Sequence, residues 1–160
     1  MNKTLVAYFS CSGVTQKLAK TLASVVGGDI YQIQPAVAYT DADLDWTDTK
    51  SRSSIEMKDK NSRPKIANSV EHIEQYDTVF VGFPIWWYIA PTIINTFLES
   101  YDFSGKTVIP FAPSGTSDVG ETHKWLHGSC TEQTKWCPAK RFPSNTSAET
   151  LKKWIEELNL

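Results

Sequence analysis

No apolar run in this 160-residue chain approaches the roughly 20 residues needed to span a bilayer. Positive charge is not in excess either. Sixteen lysines and arginines stand against 18 carboxylates, a formal net charge of −2. Nucleic acid is held by clustered Lys and Arg, so neither nucleic acid nor membrane is an expected partner. Cysteine is sparse: Cys11, Cys130 and Cys137 make one pair with a spare, a poor disulfide framework with no Cys-x-x-Cys spacing. Met1-Asn2-Lys3 leads straight into a strand-like segment without a charged and apolar leader, so the cytoplasm is the expected compartment. His72, His123 and His127 have no metal spacing with carboxylates or cysteines, and no metal centre is expected.

What is present is an ordinary globular composition, 41% apolar and 21% charged, at a length that suits one domain over 1–160. Leu5–Phe9 is a continuous apolar run, the pattern of a strand buried on both faces. Val14, Leu18, Leu22 and Val26 then fall at helical spacing, and Gly27-Gly28 ends that helix. Ile30–Gln34 reads as a second strand stopped by Pro35. From 35 to 68 periodicity is lost, with Asp41, Asp43, Asp45 and Asp48 clustered. Such long loops are usually functional, and a turn or two of helix is expected inside this one. Ile66, Val70 and Ile73 suggest a short helix before the next strand.

Thr78–Phe83 is another buried-strand run. Pro91 suits the first position of a helix carrying Ile94, Phe97, Leu98 and Tyr101. Lys106–Pro113 reads as a fourth strand, although Pro110 removes a ladder donor and implies an edge or a bulge. A weaker fifth strand lies within 135–142. Thr146–Glu149 has the form of a capping box before a last amphipathic helix with Leu151, Trp154, Ile155 and Leu158. Alternation of this kind predicts an α/β fold with a parallel sheet between helices, and ligands in such sheets bind beyond the carboxyl ends of the strands.

Three loops should meet there. Ser10-Cys11-Ser12-Gly13-Val14-Thr15 places three hydroxyls and a glycine before a helix N-terminus, a position that attracts phosphate. It lacks the Gly-Lys-Ser/Thr of a triphosphate loop and the Gly-x-Gly-x-x-Gly of a dinucleotide loop, so a monophosphate ester fits better. Pro84-Ile85-Trp86-Trp87-Tyr88 offers large aromatics against which a flat conjugated ring can stack, or which pack under the following helix. The third loop, Ser114–Gly120, is small and polar, suited to a heterocycle's polar edge or to a plain surface turn.

Together these segments resemble the flavodoxin family, in the group with a Pro-Ile-Trp-Trp second loop. The likeness runs through the first and second loops, Pro91 to Glu99, Ser104-Gly105-Lys106 and Ser114-Gly115, and weakens after Gly120. It implies a flavodoxin-like three-layer sandwich with a five-stranded parallel sheet in the order 2-1-3-4-5 and one non-covalent FMN. Ser10, Cys11, Ser12, Gly13, Val14 and Thr15 would hold the phosphate. Pro84, Ile85, Trp86, Trp87 and Tyr88 would flank the isoalloxazine, with Ser114, Gly115 and Gly120 on its other side. Strand four would then be internal, against the hint from Pro110.

In that reading the flavin carries the chemistry and no side chain needs to be catalytic. The protein is expected to be an electron carrier docking a redox partner protein, with the Asp41–Asp48 cluster as a steering rim. The alternative is an NAD(P)H-dependent reductase of quinones or similar small acceptors, with Tyr39, Trp46 and Arg52 as pocket candidates; the state is a monomer or a homodimer. A low-molecular-weight phosphatase built on Cys11 is disfavoured, because Lys17 stands where that chemistry needs Arg and no Asp-Pro pair supplies an acid. A cofactor-free interaction module is the remaining rival.

Overall fold

The computed structural model describes residues 3–86, 89–113, 122–143 and 145–158, with the backbone alone over 122–124. Strands β1 (Lys3–Tyr8), β2 (Asp29–Gln32), β3 (Tyr76–Gly82), β4 (Thr107–Pro113), β5 (Lys135–Trp136) and β6 (Lys140–Phe142) form one parallel sheet. Its path is β2-β1-β3-β4-β5, with β6 also on β4. The helices are α1 (Val14–Val26), α2 (Arg52–Lys58), α3 (Thr92–Glu99), α4 (Thr122–His127) and α5 (Ala148–Leu158).

Alternation along the strands divides the core in two. Leu5, Ala7 and Phe9 pack with Val79, Val81, Ile94 and Phe97 under α3, whereas Val6 and Tyr8 pack with Leu18, Leu22, Phe80, Leu151 and Trp154 under α1 and α5. Both faces of β1 are therefore covered, which is why its sequence is apolar without interruption.

The expected sheet order is present, and one strand is added. Residues 135–142 form two short strands rather than one, separated by Cys137-Pro138-Ala139. That interruption also accounts for Pro110, which sits inside an internal strand. The Val108 carbonyl accepts from Cys137 N on the outer side of β4, and the Phe111 carbonyl accepts from Phe83 N on the inner side. Pro110, two residues after Val108, therefore turns its missing donor outward, opposite the gap between β5 and β6.

Other boundaries differ from the sequence reading for similar reasons. The second strand ends at Gln32, because Gln34 N turns to Asn68 Oδ1 and the Gln34 carbonyl accepts from Ala67 N. No helix runs through Ile66 and Val70. Ile66 bridges Pro35, the Val70 amide donates to the Tyr101 hydroxyl, and only a 3₁₀ turn over Ile73–Gln75 forms. The Pro35–Ile66 bridge closes the base of the long segment, whose helical turns are α2. Pro91 flanks α3 with an extended ψ of 147° instead of entering it. The cap of α5 falls one residue later than Thr146, with Ser147 Oγ accepting from Thr150 N at 3.3 Å.

Gly82 closes β3 beneath the buried ring of Phe111, and a Cβ there would lie 2.4 and 2.7 Å from two ring carbons. Phe111 is fully buried in the core under α1 and α5, so its ring has little room to retreat. Gly82→Ala is therefore expected to destabilise the fold by about 1–3 kcal/mol, measured as a lower midpoint in urea at unchanged slope.

Candidate functional site

The register Tyr8↔Gly82↔Phe111 brings β1, β3 and β4 to one level at the carboxyl edge. Phe9 N donating to the Gly82 carbonyl (2.9 Å) and Phe83 N to the Phe111 carbonyl (3.2 Å) carry the alignment one residue further. The first and second loops thus leave the sheet side by side. Ser114, Gly115 and Gly120 of the third loop, with Thr116 and Asp118, lie outside the described residues, as do Trp87 and Tyr88.

In the first loop Gly13 takes φ +89° as the residue before α1, and its N–H donates to Ser10 Oγ at 3.1 Å. Only glycine adopts that backbone without strain. The turn presents the start of α1 outward. Among the described residues, no acceptor is found for the amides of Val14, Thr15 and Gln16. Ser12 and Val14 are exposed, and Thr15, in the first turn of α1, is buried. Three amides at the positive end of a 13-residue helix can hold an anion.

The second loop is tied across its base by two backbone bonds, Trp86 N to the Ile89 carbonyl (2.9 Å) and Ile89 N to the Trp86 carbonyl (3.1 Å). Pro84, Ile85 and Trp86 are half-buried. The Trp86 ring meets Phe9 at 5.9 Å and Tyr39 at 5.6 Å, while Phe9 and Tyr39 meet at 5.6 Å, all edge to face. Trp86 thus takes up the core-packing option at one end while its loop stays at the sheet edge.

Tyr39 brings in the long segment. Its hydroxyl donates to Glu56 Oε1, the Arg52 guanidinium lies 3.8 Å over its ring, and Arg52 Nε donates to Glu56 Oε2 at 3.0 Å. Arg52 Nη1 also donates to the Val37 carbonyl at 2.7 Å. Burial first, and the Glu56 carboxylate second, push the Tyr39 phenol well above its ordinary range, so it stays a donor. Trp46, the third pocket candidate, is 73% exposed beside a different cavity, lined by Thr49, Ser54, Met57 and Lys58.

A cavity of ≈ 370 Å³ opens beside the first loop, lined by Phe9, Ser10, Cys11, Gln32, Gln34, Pro35, Ala38 and Tyr39. Among the described residues that line it, none carries a formally charged side chain. The Cys11 thiol at its edge keeps solvent contact, yet the surrounding protein pushes it up to about 11; Arg52 opposes that shift and Glu56 adds to it. Glu56, Gln32 and Gln34 do not stand out in the sequence. The i,i+4 spacing of Arg52 and Glu56 was the available signal for the first, and the every-other-residue spacing of the glutamines for the others.

Among the described residues no group of three potential metal ligands converges, and no helix is long and apolar enough to cross a membrane. His127 stacks on Trp136 at 4.4 Å, and His72 lies 3.2 Å from Glu74.

Comparison with known proteins places the fold. The fold matches the crystal structure of a protein from Bacteroides uniformis ATCC 8492 described as a flavoprotein, with TM-score 0.91 and 50% identity over 97% of this chain and 98% of that one. A counterpart from Bacteroides eggerthii DSM 20697, described in the same way, matches with TM-score 0.92 and 44% identity over 100% and 99%. A flavoprotein from Lactobacillus acidophilus NCFM, solved in complex with FMN, shares the fold at TM-score 0.73 and 21% identity over 97% and 99%. No curated protein matches the chain. The flavodoxin family model matches residues 3–158, nearly the whole length, and the chain belongs to the flavodoxin family.

Proposed function

We propose that this chain is a redox protein that binds FMN non-covalently and carries electrons through it to a partner. The observation that carries the reading is the first loop, where Gly13 at φ +89° exposes the amides opening α1 at the carboxyl edge of the sheet. Ser10, Cys11, Ser12, Gly13, Val14 and Thr15 would hold the phosphate there. Hydroxyls and amides with no arginine or P-loop lysine suit the binding of a monophosphate and not its cleavage. Pro84, Ile85 and Trp86 leave the neighbouring strand beside that loop and would flank a planar ring, with Trp87, Tyr88, Ser114, Gly115 and Gly120 the further residues assigned to it. The bound flavin supplies one- and two-electron chemistry, and the protein binds it, orients it and sets its potential.

A second reading, an NAD(P)H-dependent reductase of quinones or other small acceptors, draws support from the ≈ 370 Å³ cavity beside the first loop. Among its described lining residues, Phe9 and Tyr39 as aromatic walls, the amides of Gln32 and Gln34 and the lack of charge suit a small neutral acceptor. The phosphatase alternative loses its nucleophile. A thiol pushed up to about 11 is protonated at neutral pH, and only the thiolate attacks.

The purified protein is expected to show the two visible bands of oxidised flavin and to release FMN on denaturation. A colourless protein that also refuses added FMN would sink the proposal. NADPH oxidation with a quinone and no partner protein separates the two readings, rapid turnover favouring the reductase. Gly13→Ala, which forces a side chain into left-handed backbone at a cost of about 1–2 kcal/mol, should weaken FMN binding about tenfold. Because the raised thiol leaves little thiolate below its midpoint, apoprotein Cys11 should react with iodoacetamide at pH 8 about tenfold more slowly than an ordinary thiol. Its rate should climb through pH 10; fast labelling at pH 7 would reinstate a nucleophilic role.

A further inference from the structure

We infer that Arg52, Glu56 and Tyr39 form a clamp that positions the aromatic wall of the flavin site, so that the 35–68 segment sets how firmly the flavin is held. This rests on the FMN reading above and goes on to name residues of another part of the chain.

The need for a clamp follows from where Trp86 stands. Its loop is closed by two backbone bonds to Ile89, which fix the turn and leave the indole's own torsions open. Two neighbouring rings hold the indole. Phe9 is rigid, fully buried one residue past β1. Tyr39 is not, since it sits in irregular chain between the Pro35 bridge and α2. Its orientation is fixed instead by two residues one turn apart on α2: Arg52 lies over the ring face and Glu56 holds the hydroxyl. The Ser51 cap on Ser54 N secures the start of that helix, and Ser62 Oγ at 3.2 Å from Thr92 Oγ1 ties the far side of the segment to α3.

Stability alone does not ask for this arrangement. The Arg52 and Glu56 side chains are only 23% and 13% exposed, so placing both charges there carries a desolvation cost. An apolar pair of similar volume often serves stability as well or better. An apolar pair cannot select one orientation of a phenol ring, whereas a guanidinium over its face and a carboxylate at its hydroxyl do. The clamp also reaches the first loop, because Tyr39 shares the cavity with Ser10 and Cys11. It therefore touches both segments assigned to the flavin.

The test uses the full chain with Tyr39→Leu, Tyr39→Phe, the double variant Arg52→Met/Glu56→Leu, and Ile55→Ala as a control on the exposed side of α2. FMN affinity is read from quenching of flavin fluorescence, flavin environment from visible circular dichroism, and folding from thermal melts of the apoprotein. The double variant should melt near wild type yet bind FMN about tenfold more weakly with an altered visible spectrum. Tyr39→Leu should lose at least as much, Tyr39→Phe should fall between it and wild type, and Ile55→Ala should change neither affinity nor spectrum. A double variant with wild-type affinity and spectrum would overturn the clamp and leave FMN binding standing. Should Tyr39→Leu fail to fold, the double variant, which keeps the ring, decides alone. Failure of the wild type itself to bind FMN would overturn the underlying reading, and the clamp with it.

Discussion

Phe9, Tyr39 and Trp86 meet edge to face, and the carboxyl edge of the sheet is organised around that contact. Each ring comes from a different part of the chain: the end of the first strand, the long irregular segment and the second loop. Phe9 is fixed by the buried sheet beneath it, so the other two take their positions from it. Without this contact, residues 35–68 would be tied to the body through the Pro35–Ile66 bridge at the segment's base and polar contacts such as Ser62–Thr92 and Arg63–Glu99. With it, the segment becomes a wall of the candidate site.

A second constraint works at the level of the backbone. β1 and β3 end in register at Tyr8 and Gly82, with Phe111 of β4 alongside, and Gly82 leaves the room that the Phe111 ring occupies there. The first and second loops therefore start at one height, side by side. Gly13 then turns the chain so that the first amides of α1 open outward. The hydroxyl-rich first loop and the aromatic second loop are placed together by strand register.

Much of this is legible in the residues alone. Unbroken apolar runs at Leu5–Phe9 and Thr78–Phe83 mark strands covered on both faces, and the helical stripe after Gly13 marks α1 to within a residue. Both patterns arise from local periodicity, which a sequence displays directly. The misreadings share a different cause. Pro110 suggests an edge or bulge, yet it lies inside the sheet because Cys137–Ala139 interrupt the neighbouring strand where its donor is missing. Ile66 and Val70 suggest a helix, yet partners far along the chain, Pro35 and Tyr101, hold their backbone. In each case a distant residue outweighs the local preference.

By itself the sequence determined the alternation of strands and helices, the sheet order through its likeness to flavodoxins, and the hydroxyl-rich loop before a helix. These depend on short-range spacing and on residue chemistry. Only the tertiary structure decided that Tyr39 rests on Trp86, that Arg52 and Glu56 hold it there, and that Gln32 and Gln34 line a cavity with Ser10. Those contacts join residues many positions apart through an irregular segment. No periodic pattern encodes where such a segment lands; it is fixed by the surface that the sheet and its loops present once folded.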